Sequence, residues 1–188
     1  KIMDVGCSVG MYVDFLTGRG FESYGVDIID EFLNEAKKKR KGNFVKGSAE
    51  KLPFKDDSFD TVLLFDILEH GDDEKILEEA KRVSKKRILA IVPRRVDSGL
   101  EQAGIVFRHY IDKTHLREYA EKDLKALGDK VGLKVIHLQP VHNLNIKNIF
   151  IALFKGPVLL RDIVRKLIYF VLPRKDFPTE YFIVFEKS

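Results

Sequence analysis

One cysteine in 188 residues leaves no internal disulfide to form and no cysteine cluster to hold a metal. A reducing compartment, the cytoplasm, is the natural setting for such a chain. No Gly-Lys-Ser or Gly-Lys-Thr follows a glycine-rich stretch, which excludes a P-loop. The G-x-G-x-x-G of a dinucleotide turn is also missing. Ser8 stands at its middle position and Met11 at its last, where a long side chain would crowd a diphosphate. Lys155 and Gly156-Pro157 interrupt the longest apolar run, so it is too short to span a membrane. There is no internal repeat and no low-complexity tract, and no signal peptide is expected ahead of the first strand. Charge of one sign is scarce as well: 33 Lys and Arg against 29 Asp and Glu give a net +4. The basic run Lys37-Lys38-Lys39-Arg40-Lys41 reads as a solvated helix end, because a nucleic-acid groove would need aligned basic residues interleaved with aromatics.

What remains is a globular composition, 45% hydrophobic and 33% charged, in a chain of single-domain size. Short apolar runs alternate with amphipathic segments, the pattern of βα units in a parallel sheet. It predicts strands at about 1–5, 22–27, 43–46, 59–65, 86–92, 133–139 and 180–186, and helices at about 9–18, 30–41, 73–84 and 121–131. Thr61–Phe65 and Ile88–Val92 are continuously apolar, as central strands covered on both faces must be. The expected fold is α/β, a doubly wound and mostly parallel seven-stranded sheet. Its last strand is antiparallel, with a helical insert before it.

The densest signal lies between Lys1 and Asp27: an apolar strand, then Gly6-Cys7-Ser8-Val9-Gly10, a helix, and a second strand ending in an acid. Glycine at 6 and 10 lets backbone approach a ligand and adopt dihedrals that a Cβ forbids. An acid about 20 residues beyond such a turn is placed to accept hydrogen bonds from both hydroxyls of a ribose. The turn therefore suits a nucleoside without phosphate. Cys7 reads as a small residue wanted by the turn, not as a nucleophile.

Asp4-Val5-Gly6-Cys7-Ser8-Val9-Gly10 resembles motif I of the class I S-adenosylmethionine-dependent methyltransferases, roughly D-x-G-x-G-x-G. The resemblance continues through Val26-Asp27-Ile28, through Gly47-Ser48-Ala49-Glu50-Lys51-Leu52-Pro53-Phe54, and through Ser58–Val62 leading to Leu68-Glu69-His70. It departs from the family where Ser8 replaces the middle glycine, and where Ser48 stands at a position often held by Asp. The resemblance implies S-adenosylmethionine as cofactor and S-adenosylhomocysteine as product. It implies that Gly6, Cys7 and Gly10 line the methionine and ribose, and that Asp4 orders the turn near the amino group. Asp27 would hold the ribose, Ile28 lie against the adenine, Ser48 and Ala49 meet its edge, and Phe65 close over the donor. The family's N-P-P-Y turn for amide or nucleobase nitrogen is replaced by Phe65-Asp66-Ile67-Leu68, which argues against that acceptor class. The implied acceptor is a small molecule, glycan or lipid-like compound.

Acceptor chemistry falls to two inserts, about 93–119 and 143–178. An oxygen or nitrogen acceptor must lose a proton, and histidine is suited to take it. His109 and His115 in the first insert are the candidate bases. Asp112-Lys113-Thr114-His115-Leu116-Arg117 resembles a D-x-T-H-x-R stretch of many methyltransferases. That stretch either contacts the acceptor or only caps the following helix and pairs Arg117 with an acid. Glu69-His70, with Asp66, Asp72 and Asp73, forms a second polar cluster. Hard cations favour carboxylates, but the cluster reads as a turn and helix cap, so no metal is assigned. In the second insert, Arg161, Asp162, Arg165 and Lys166 share one stripe of an amphipathic helix over 158–172, a lid, a dimer contact or a membrane-surface helix. Monomer and homodimer both remain open. A non-catalytic scaffold, or an RNA or protein methyltransferase, are the alternative functions.

Overall fold

The computed structural model describes residues 1–95, 112–145, 163, 166 and 176–187. Its elements alternate as the hydrophobic pattern requires. Strand β1 (Ile2–Val5) leads to α1 (Met11–Gly18), β2 (Ser23–Asp27) to α2 (Asp30–Lys39), and β3 (Asn43–Lys46) directly to β4 (Phe59–Phe65). A single 3-10 turn (Leu68–His70) and α3 (Asp73–Val83) precede β5 (Ser84–Pro93); α4 (Glu121–Val131), β6 (Leu133–Asn145) and β7 (Asp176–Lys187) follow. The seven strands lie in the order β3-β2-β1-β4-β5-β7-β6. The first five are parallel, and β7 runs antiparallel to both β5 and β6.

Apolar side chains dictate the stacking. Met3, Val5, Val62, Leu64, Ile88, Ala90, Ile183 and Phe185 are buried in one cluster with the inner face of α3, where Ile76, Leu77, Ala80 and Val83 recur at helical spacing. Fully burying a side chain of this size stabilises by about 1.5–3 kcal/mol, so the two faces of β4 and β5 hold the sheet together. Asp72 caps α3, its carboxylate accepting the Lys75 N–H at 3.2 Å.

Strands β6 and β7 run further than the expected 133–139 and 180–186. Backbone pairing continues through Asn143↔Pro178 to Asn145↔Asp176, so mutual pairing extends both arms beyond their apolar runs. Pro140 is tolerated because β6 pairs only with β7 and is an edge strand. Of the amphipathic helix expected over 158–172, only Ile163 and Lys166 are described; both are helical and exposed, and the rest lies outside the described residues. Among the described residues no helix is long and apolar enough to cross a membrane.

The loop after β3 is held from below by Arg82. Its guanidinium donates to Glu79 at 2.7 Å, to Asp56 and the Phe54 carbonyl at 2.8 Å, and to the Leu52 carbonyl at 3.1 Å. Glu79 in turn accepts the Leu52 N–H at 2.7 Å. One planar cation thus ties α3 to the loop that follows Gly47. Arg82→Ala is expected to destabilise the protein by about 1–3 kcal/mol, read from the urea midpoint. It should also raise amide exchange at Leu52 and Phe54.

Candidate functional site

The turn after β1 folds around two glycines whose left-handed dihedrals strain any residue with a Cβ. Gly6 has φ +74°, and a Cβ there would sit 2.8 Å from Ile67 Cδ1. Gly10 has φ +77°, and its Cβ would meet the Phe44 ring at 2.5 Å. Ser8 also takes a left-handed φ, +48°. The amides of Gly6 and Cys7 both donate to the Val26 carbonyl, at 2.8 and 3.0 Å. The Asp27 carboxylate secures the rest: Oδ2 accepts the Ser8 N–H at 2.8 Å and Oδ1 the Ile29 N–H at 2.9 Å. Each carboxylate oxygen can accept a further hydrogen bond, so Asp27 has acceptor capacity left for a diol. Behind it, burial, with Asp27 alongside, pushes the Asp4 carboxyl up to about 7. Burial also pushes the Cys7 thiol up to about 12, with the Asp4 and Asp27 charges adding to the shift. Cys7 therefore carries no thiolate at neutral pH; its sulfur fills the space over Gly25, where a Cβ would lie 2.7 Å from Sγ.

A cavity of about 670 Å³ opens beside this turn at the carboxyl ends of the strands. That volume lies within the range of about 300–1,000 Å³ typical of small-molecule sites. Of the residues expected to bind a nucleoside, Gly6, Asp27, Ile28, Ser48 and Ala49 line it, together with Ser8 and Gly47. Asp4, Cys7, Gly10 and Phe65 do not line it; they stand behind the turn or beside it. Phe65 packs edge-on against Tyr12, with ring centroids 5.1 Å apart. The Ser48 hydroxyl accepts the Glu50 N–H at 3.2 Å.

The opposite wall brings in Asp66, His70, Asp112 and Thr114, none of which the sequence reading placed among the site residues. The signals were present: Asp66 and His70 flank the turn after β4, and Asp112 and Thr114 open the D-x-T-H-x-R stretch. That stretch docks on the 3-10 turn. The Leu116 N–H donates to the Glu69 carbonyl at 2.8 Å, Arg117 pairs with Asp73, and the Tyr119 hydroxyl donates to Asp73 at 3.1 Å. Pairing of Arg117 with an acid and lining of the cavity are thus both properties of one segment. His115 does not line the cavity, and His109 lies outside the described residues.

Beneath this wall is an unusual buried group. Glu69 is 0% exposed, and neither carboxylate oxygen has a hydrogen-bond partner. Burial, with Asp66, Glu180 and Asp112 adding negative charge nearby, pushes its carboxyl up to about 8. His115 Nε2 stands 3.9 Å from Glu69 Oε1 and 3.9 Å from Asp112 Oδ2, while its Nδ1 is buried without a partner. Burial and the neighbouring His70 lower the basicity of His115. The two imidazoles meet edge-on, 4.7 Å between centroids. One ligand atom each from Glu69, His70 and His115 lie within 4.8 Å of one another, a set able to hold a divalent cation.

Comparison with known proteins bears on the first half of the chain most directly. Residues 3–91 match the family described as "Methyltransferase domain". A demethylmenaquinone methyltransferase of Thermotoga maritima is 32% identical over 101 residues, covering 50% of this chain and 44% of that one. A ubiquinone biosynthesis O-methyltransferase of Rickettsia bellii is 28% identical over 118 residues, covering 59% and 49%. The chain thus spans about half the length of the curated relatives it matches. Among solved structures, an S-adenosylmethionine-dependent methyltransferase from Archaeoglobus fulgidus superposes with a TM-score of 0.69 at 21% identity, covering 99% of this chain and 85% of that one. The magnesium protoporphyrin IX methyltransferase of Synechocystis PCC 6803, with S-adenosylhomocysteine bound, superposes at 0.65 and 16% identity, covering 100% and 74%. These two likenesses establish the fold.

The orphaned Glu69 has a measurable consequence. A carboxyl held at about 8 in the folded protein, against 4.5 ordinarily, binds its proton more tightly folded than unfolded. It favours folding below about pH 4.5 and loses that contribution as the pH climbs through about 8. Glu69→Gln removes the titration, so between pH 5 and pH 9 the wild type should lose more stability than the variant in urea melts. Parallel profiles would mean that Glu69 has a partner in solution.

Proposed function

Residues 3–91 are a class I S-adenosylmethionine-dependent methyltransferase domain, and from that premise we propose that the chain transfers a methyl group to a small-molecule acceptor. The observation that carries the reading is the cavity beside Asp27, whose lining joins Gly6, Ser8, Asp27 and Ser48 to Asp66, His70, Asp112 and Thr114. The residues fit the donor: a carboxylate with spare acceptor capacity, a turn kept open by Gly6 and Gly10, and small side chains at Ser8, Gly47, Ser48 and Ala49. When bound, S-adenosylmethionine supplies an activated methyl on a cationic sulfur and leaves as S-adenosylhomocysteine.

The chain's own groups do the rest. Asp27 orients the ribose, and Ser48 and Ala49 border the adenine beside Ile28. Ile67 and Ile76 add apolar lining to the cavity, and displacement needs alignment more than activation. Gly10, Cys7 and Asp4 act from behind by keeping the turn in place, and Phe65 backs the donor from β4. The acceptor enters along Asp66, His70, Asp112 and Thr114, so an ionisable hydroxyl or amine would meet a histidine there. His115, beside Glu69, is then an indirect participant in proton transfer. The reading treats residues 1–188 as one domain whose two inserts shape the acceptor side, acting in the cytoplasm.

Acids dominate the charged part of the lining, Asp27, Glu50, Asp66 and Asp112. That favours a cationic donor and a compact acceptor over a polyanion such as RNA. Calorimetric titration is expected to give micromolar binding of S-adenosylmethionine and S-adenosylhomocysteine. Asp27→Asn keeps one acceptor oxygen for the turn but loses the charge, and is expected to weaken both by about 1.5–3 kcal/mol, roughly tenfold to a hundredfold. Folded wild-type protein that gives no heat with either nucleoside would overturn the assignment.

A further inference from the structure

We propose that Asp112 and Thr114 hold the imidazole proton of His70 on Nδ1, leaving Nε2 as the lone pair that takes the acceptor's proton. The direction of one hydrogen bond decides this. A threonine hydroxyl has a single proton to give, and an ionised carboxylate can only accept. Thr114 Oγ1 lies 2.6 Å from Asp112 Oδ1, the separation of a hydroxyl donating to a carboxylate. The same oxygen accepts the Thr114 N–H at 2.9 Å. Asp112 is exposed, and an exposed aspartate is ionised at neutral pH. The hydroxyl proton is therefore committed to Asp112. Toward His70 Nδ1, 3.1 Å away, Thr114 Oγ1 has only lone pairs to offer. Nδ1 must carry the hydrogen, and Nε2 is left bare.

This is the reverse of the tautomer a neutral histidine prefers in water. The relay is anchored, because the segment bearing it is fixed to the 3-10 turn through Leu116 N–H and the Glu69 carbonyl, and to α3 through Arg117 and Asp73. His70, Asp112 and Thr114 all line the cavity. Among the described residues, the titratable groups beside His70 are Asp112, on the segment that bears Thr114, His115, edge-on to it, and Glu69, the preceding residue. In the reaction, the acceptor's O–H or N–H proton passes to His70 Nε2 while its heteroatom bonds to the methyl carbon. The electron pair of the broken bond stays on the donor sulfur, giving a neutral thioether and an imidazolium. That catalytic part rests on the methyltransferase reading; the tautomer does not. Asp112 and Thr114 are positioning residues, and neither need touch the reacting atoms.

The test is nitrogen-15 NMR of the imidazoles in the full chain at pH 9 with EDTA, where an ordinary histidine, with a pKa of about 6.5, is neutral. The His70 signals are identified by their loss in His70→Gln. The expected result is a protonated Nδ1 and a pyridine-type Nε2 in the wild type and in Thr114→Ser. In Thr114→Val, verified as folded by its melting curve, the proton should move to Nε2. A wild-type His70 protonated on Nε2, or a tautomer unmoved in Thr114→Val, overturns the proposal. Turnover is read with 3,4-dihydroxybenzoate, a small catechol. Thr114→Val should lower kcat about tenfold or more with the KM for S-adenosylmethionine unchanged, Thr114→Ser should restore it, and His70→Gln should cost about 10²–10⁴-fold. A correct tautomer with kcat unchanged in Thr114→Val removes the base role. A correct tautomer in a protein that binds neither nucleoside sinks the methyltransferase reading and leaves the relay standing.

Discussion

The site depends on one carboxylate gripping two backbone amides. Asp27 ends β2 and accepts the N–H of Ser8 from the turn after β1 and the N–H of Ile29 from the entry to α2. Charge-assisted bonds of this kind are about twice as strong as neutral ones. Both are nearly sealed from water, since Asp27 is 8% exposed. They hold Ser8 at a φ that a residue with a Cβ rarely visits. The acid that would bind a sugar is thus first the acid that shapes the turn. A ligand finds the loop already formed and does not have to order it, which keeps the entropic cost of binding low.

The second wall is assembled differently. Its residues come from the loop after β4 and from a segment more than forty positions later, and only tertiary contacts join them: Thr114 with His70 across 44 positions, and Arg117 with Asp73. Both walls stand at the carboxyl ends of parallel strands, where an open α/β sheet leaves a crevice for ligands. Buried charge separates them in character. Asp27 is satisfied by backbone donors, whereas among the described residues no hydrogen bond is made to the Glu69 carboxylate oxygens, and burial raises its hold on the proton. A satisfied carboxylate rigidifies; an orphaned one is poised to change state.

Local chemistry made the turn after β1 readable from residues alone. Gly6 and Gly10 take the left-handed dihedrals that the turn requires, and Asp27 ends β2 with its carboxylate on the Ser8 amide of that turn. The apolar runs at Thr61–Phe65 and Ile88–Val92 likewise became central strands. What escaped was anything decided at a distance. Nothing near His70 announces that its nitrogen meets Thr114, and nothing near Glu69 announces that its carboxylate is stranded. Likewise, the polar ends of β6 and β7 are strand only because each arm supplies the other's hydrogen bonds. Asp4, Cys7 and Gly10 do not line the cavity; proximity in sequence to a turn does not say which of its neighbours face the open side and which stand behind it.

The sheet order carries a consequence for assembly. Strand β7 is wedged between β5 and β6, and Arg87 on β5 meets Glu186 on β7 across 99 positions. Until β7 arrives, β5 has an unpaired edge, and among the described residues β6 has no strand to pair with. That edge of β5 stays open until residues 176–187 have been made. Late closure of this kind slows the final docking and invites intermolecular pairing while it waits. The keystone of the sheet is the last piece to be laid.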